Sequence, residues 1–143
     1  MKLLRIGNKG KEKPAILDNT GKIRDLSSII KDLNPYYLNH TTINNIEKIN
    51  LNNLPEISKN ERIGACIKNP GKFIAIGLNY SDHAAETGAK VPSEPIIFMK
   101  ATSCINGPND DIELKKGSTK LDWEVELGIV IGKEAKNISE KDS

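Results

Sequence analysis

Between Asp122 and Gly132 the chain reads DWEVELGIVIG, in which acidic residues alternate with apolar ones. A period of two is the signature of a β-strand with one buried face. Trp123, Val125, Leu127, Ile129 and Ile131 would then share the buried face, while Glu124 and Glu126 share the other. Two carboxylates side by side repel unless something positive lies between them, and a divalent cation is the simplest partner. The same spacing also suits an ordinary solvated strand face in an antiparallel sheet.

The remaining composition narrows the choices. The chain has 143 residues, enough for one domain with a core or a small domain joined to part of a larger one. Aromatic residues make up 4%, so Ile, Leu and Val must build the core. With 21 basic against 19 acidic residues and no basic run, nucleic acid is not expected as a partner. The N-terminal MKLLRIGNKG is too short for a signal peptide, and no stretch reaches membrane-spanning length. Cys66 and Cys104 have no metal-ligand spacing; the expectation is a reduced pair of small core residues in a cytoplasmic protein.

The first third reads as a small α+β unit. LLRI and PAIL are brief strands, and Asp18–Gly21 is a turn cluster. Leu26, Ile29, Ile30 and Leu33 fall at helical spacing, with Asp25 as cap and Asn34–Pro35 as stop. A weaker helix is expected over 42–49, and the polar, proline-punctuated stretch 50–69 suits a connecting segment. Downstream, KFIAIGLNY and EPIIFMKA read as strands, SDHAAETG as a helical turn or two ended by Gly88, NGPNDD as a sharp turn, and WEVELGIVIG as a third strand. Ser139 would cap a helix beginning at the C-terminus. The expected domains are 1–70, a small N-terminal α+β domain with linker, and 71–143, the first part of a truncated catalytic domain.

On a helix, His83 and Glu86 are three apart and therefore neighbours, so the carboxylate would hold the imidazole in one tautomer. A surface helix with an incidental histidine fits the same residues. Lys100 directly follows a strand; it would neutralise a substrate carboxylate, or mark where the strand emerges into water.

Three blocks, KFIAIGLNYSDHAAETG, PIIFMKATSCINGPNDDI and DWEVELGIVIG, together resemble consecutive signature blocks of the fumarylacetoacetate hydrolase family. The opening KLLRIG, KPAILD and IRDLS is similar to the small N-terminal domain of a bacterial branch whose members are labelled ureidoglycolate lyase or 2,4-diketo-3-deoxy-L-fuconate hydrolase. The resemblance implies an α+β, mainly β fold, with the small domain leading into the first part of a mixed β-sandwich roll. It implies Glu124 and Glu126 as ligands of Mg²⁺ or Mn²⁺, His83 and Glu86 as the dyad that activates water, and Lys100 as a residue near the substrate. It also implies a homodimer when complete, and cleavage of a carbon–carbon bond in a 2,4-diketo acid. The family's third carboxylate ligand and a further catalytic lysine have no match before Ser143. A non-catalytic fragment, a family lyase, decarboxylase or isomerase, and a plain α+β interaction domain remain alternative readings.

Overall fold

The computed structural model describes residues 1–143. The fold is mixed and mainly strand, with six strands and two α-helices. Two compact units are distinct, Met1–Lys68 with Gly107–Ser143, and Asn69–Asn106.

In the first unit the two expected strands form and pair antiparallel: β1 (Lys2–Ile6) and β2 (Lys13–Leu17), with Leu4 opposite Ala15. The chain reverses at Asp18, whose Oδ1 accepts from the Thr20 amide at 2.8 Å, the Thr20 hydroxyl at 2.7 Å and the Lys22 amide at 2.9 Å. Gly21, at φ +76°, closes this turn in a conformation that L side chains rarely adopt. β3 (Ile23–Asp25) then pairs with β2, and β4 (Glu56–Ile57) completes the order β1-β2-β3-β4.

Because successive side chains on a strand point to opposite faces, Ala15 and Ile16 on β2 serve different clusters. Ile16 packs with buried Leu26, Ile30, Leu33 and Ile46. Ala15 packs with Ile6 and Ile23 on the other face. Burying each large aliphatic side chain contributes roughly 1.5–3 kcal/mol. Helix α1 (His40–Glu47) supplies Ile46 to the larger cluster, and Asn39 caps it by accepting the Thr42 amide at 3.0 Å.

The helix expected over Leu26–Leu33 is absent. Leu26, Ile30 and Leu33 are buried as the spacing requires, but Ile29 is 37% exposed and the backbone makes a single turn, with the Ile30 amide donating to Leu26 O at 3.0 Å. Asp32 bonds the Leu33 amide at 2.8 Å and is drawn to Arg5, a tertiary demand that outcompetes a second helical turn. Nor is 50–69 a bare connector. It contributes β4 and a bridge between Ile63 and Ile6, and the Gly64 amide donates to Arg5 O at 2.7 Å.

In the second unit β5 (Ile74–Gly77) and β6 (Ile96–Met99) form an antiparallel pair, with Ile74 opposite Met99. Leu78, just past β5, has φ +48°, a left-handed conformation that costs a non-glycine residue about 1 kcal/mol. It turns the chain into α2 (Ser81–Glu86).

The third strand does not form. Trp123, Val125, Leu127, Ile129 and Ile131 are all exposed, Trp123 at 82%, and Asp122–Gly132 holds no regular element. Alternation sets which side chains would share a face, but a strand also needs a neighbour's amides and carbonyls. The two sheets, β1-β2-β3-β4 and β5 with β6, do not include this segment. The C-terminal cap is modest: Ser139 precedes a 3-10 turn at Glu140–Asp142 and donates its hydroxyl to Asp142 Oδ2 at 2.6 Å. Cys66 and Cys104 are free and exposed, not core residues.

Candidate catalytic residues and the charge network

The short helix α2 is held by its ends and by one face. Ala84 is buried at 1% exposure, so the helix has an inward side. His83 and Glu86 lie away from it, both exposed, on adjoining positions of the outer surface. Gly88, at φ +68°, stops the helix as the sequence predicts: its amide donates to Ala85 O at 3.2 Å, and the Ala89 amide reaches Ala84 O at 2.9 Å. This is a Schellman ending, which satisfies carbonyls that would otherwise lack partners. Tyr80 stands at the N-cap position and makes no side-chain capping bond. Asp82 Oδ1 accepts the His83 amide at 2.9 Å. The imidazole is therefore displayed on a fixed, solvent-facing turn beside a carboxylate.

Lys100 is half-buried immediately beyond β6, and its amide continues the ladder by donating to Phe73 O at 2.9 Å. Lys100, His83 and Glu86 thus belong to one compact unit. Glu124 and Glu126 belong to the other, exposed on the irregular stretch 122–132. As hard oxygen donors the two carboxylates suit Mg²⁺ or Mn²⁺. No group of three or more His, Cys, Asp or Glu side chains is gathered to hold a cation, so these residues alone do not make a complete metal site.

The most elaborate polar arrangement is one that the sequence reading passed over. Arg5 and Asp32 form a buried pair, Nε to Oδ1 at 2.7 Å and Nη2 to Oδ2 at 3.3 Å. Lys68 Nζ reaches Asp32 Oδ2 at 3.1 Å. Arg5 Nη2 also donates to Glu12 Oε2 at 3.1 Å, and Glu12 Oε1 accepts from Arg62 Nη1 at 2.9 Å. Arg62 then forks onto Asp110, Nε to Oδ1 and Nη2 to Oδ2, both at 2.6 Å. Burial pushes the carboxyls of Glu12 and Asp32 up, but their hydrogen bonds and the Arg5 charge outweigh it and hold both below the usual range. The Arg62 guanidinium, helped by the Gly107 amide, lowers Asp110 to about 2 against opposing burial. No periodicity links residues so far apart in sequence. Only the GPND turn signal pointed to Asp110.

Comparison with known proteins places these residues in context. Residues 72–143 match the model of the fumarylacetoacetate hydrolase C-terminal domain. The chain belongs to the fumarylacetoacetate hydrolase family. Among relatives, a protein named "Putative hydrolase" from Burkholderia orbicola is 54% identical over 140 residues, covering 98% of this chain and 50% of that protein. A Burkholderia cenocepacia protein named "Putative hydrolase" matches with the same identity and coverage. This chain spans about half the length of those relatives. A crystal structure titled as that of a "putative HpcE protein" from Mycobacterium smegmatis superposes with a TM-score of 0.65 at 27% identity, over 82% of this chain and 42% of that one. Proteins of the fumarylacetoacetate hydrolase family generally use divalent metals. No helix is long and apolar enough to cross a membrane.

Proposed function

We propose that this chain supplies the water-activating dyad and two carboxylate metal ligands of a hydrolase that cleaves a carbon–carbon bond in an acylpyruvate-type 2,4-diketo acid. The observation that carries the reading is the display of His83 and Glu86 side by side on the outer face of α2, at the end of a family-matched strand. Glu86 orients the imidazole, and His83 takes a proton from water as the oxygen attacks the distal carbonyl carbon. The bond between that carbon and its neighbour then breaks. Its electron pair passes into a pyruvate enolate, which takes up a proton to become pyruvate, while the distal part leaves as a carboxylic acid. Lys100 pairs with the substrate carboxylate. Glu124 and Glu126 would hold Mg²⁺ or Mn²⁺ together with ligands from outside these residues, and the bound cation would supply Lewis acidity toward the 2-oxo acid end.

The test is pyruvate release from an acylpyruvate by the polypeptide that carries these residues with the remainder of the family domain. His83→Ala should abolish hydrolysis and leave Mn²⁺ affinity near that of the parent. Glu124→Ala should remove the metal-dependent rate. Undiminished turnover in His83→Ala would overturn the role of the dyad, and loss of metal with the histidine would make it a ligand instead.

A further inference from the structure

The Gly107–Asp110 turn is held against the Arg62–Ile63 segment by both charge and steric fit. Asp110 meets Arg62 through a two-pronged ion pair, with side-chain exposures of 14% and 26%. Its Oδ2 also accepts the Gly107 amide at 3.0 Å, and the Asp110 amide donates to Gly107 O at 3.2 Å. Gly107 is buried, and a Cβ there would lie 2.6 Å from Ile63 O, so only glycine allows the turn to rest on the backbone beside Arg62. Arg62 is itself tied down from behind. Its Nη1 donates to Gly7 O at 3.0 Å and to Glu12, and Glu12 leads to the buried Arg5–Asp32 pair.

Partly buried ion pairs contribute little net stability compared with apolar residues of the same volume; their best-attested use is to fix one arrangement against alternatives. The fork supplies that, because a bidentate guanidinium–carboxylate pair sets orientation as well as distance. Steric fit at Gly107 and charge at Asp110 therefore specify the same register of the turn on the Ile63 segment. The residues that follow lead, without a further regular element, to Glu124 and Glu126.

We propose that Arg62 is a positioning residue: through Asp110 it anchors the root of the segment that carries Glu124 and Glu126, which makes the small N-terminal unit part of the working site and not an appendage. The role assigned to those two glutamates rests on the proposed function; the anchoring does not.

The two can be separated on the 143-residue chain. Trp123 is the sole tryptophan and lies on the segment, while exposed Cys66, close in sequence to Arg62, takes an acceptor dye once Cys104→Ser removes the other thiol. Arg62→Lys keeps the charge and loses the fork, and Asp110→Asn loses the charge and keeps the shape. Either should speed amide exchange at Gly107 and Asp110 on the order of tenfold, and broaden the distribution of Trp123-to-Cys66 distances, with β1 and β2 as protected as before. An unchanged distance distribution would overturn the anchoring, as would loss of protection in β1 and β2 together with the turn. Mn²⁺ titration of the same samples tests the link to the site. If the parent binds Mn²⁺ and Arg62→Lys binds it equally well, the positioning role is overturned. If the parent binds none, the ligand role of Glu124 and Glu126 in this chain fails, while the distance data still decide the anchor.

Discussion

Replacing Asp32 by alanine should be among the most damaging single changes available to the N-terminal unit. Its carboxylate receives Arg5 Nε at 2.7 Å, Arg5 Nη2 at 3.3 Å, Lys68 Nζ at 3.1 Å and the Leu33 amide at 2.8 Å. The side chains of Arg5 and Asp32 are only 5% and 7% exposed, so Asp32→Ala leaves a guanidinium in the interior without its main counter-charge. Breaking a buried pair from one side costs roughly 3–5 kcal/mol. Glu12 still meets Arg5 Nη2 at 3.1 Å, which points to the lower end, about 3 kcal/mol. The paired replacement Arg5→Met with Asp32→Leu should cost less than Asp32→Ala, because the guanidinium is removed with its main counter-charge, Glu12 keeps Arg62, and Lys68, 41% exposed, turns to water. Urea unfolding followed by far-ultraviolet circular dichroism measures both. Fluorescence would mislead, since Trp123 is 82% exposed and lies outside both core clusters. A loss below about 1 kcal/mol in Asp32→Ala, the range of exposed pairs such as Lys115 with Glu113, would refute the reasoning.

Leu26→Ala, at a fully buried position, should cost about 3 kcal/mol in the same experiment, whereas Leu127→Ala, at 77% exposure, should stay within about 0.5 kcal/mol; equal losses would mean that the Trp123–Ile131 stretch is packed after all. Acid should destabilise the N-terminal unit in a defined window. Asp110 stands at about 2 against an ordinary 3.8, and Glu12, Asp32 and Asp18 are also depressed. A depressed carboxylate contributes stability that is present above its unfolded value and lost as pH falls through its folded one, so the urea midpoint should hold above the ordinary carboxylate range and fall from there toward about 2. A midpoint that falls instead between neutrality and the ordinary range would contradict these assignments. Gly88→Ala places a Cβ where nothing lies within 4 Å, so its cost, about 1 kcal/mol, is purely that of φ +68°; faster exchange of the Ala89 amide, which bonds Ala84 O, would report it.

Local chemistry was legible in the sequence. The apolar runs around Leu3 and Ile16 became β1 and β2, the Asp18 carboxylate made its own turn, and Gly88 ended α2, because each depends on residues within a few positions. The family was legible for a related reason, since its blocks are contiguous. Periodicity proved a guide to burial more than to backbone. Leu26, Ile30 and Leu33 went inside as their spacing required, yet without a helix, because Asp32 was claimed by Arg5 from a distant strand.

What the sequence by itself determined about this protein is its family, its local turn at Asp18 and the Gly88 ending of α2; it also singles out His83, Glu86, Lys100, Glu124 and Glu126 as the candidates proposed above for chemistry. Only the tertiary structure decided that Glu12 joins Arg5 to Arg62, that Arg62 grips Asp110, and that Trp123–Ile131 forms no strand despite its alternating pattern. The physical reason is common to all three. An ion pair or a strand ladder needs a partner brought close by the fold, and no periodicity within one segment can say where that partner lies.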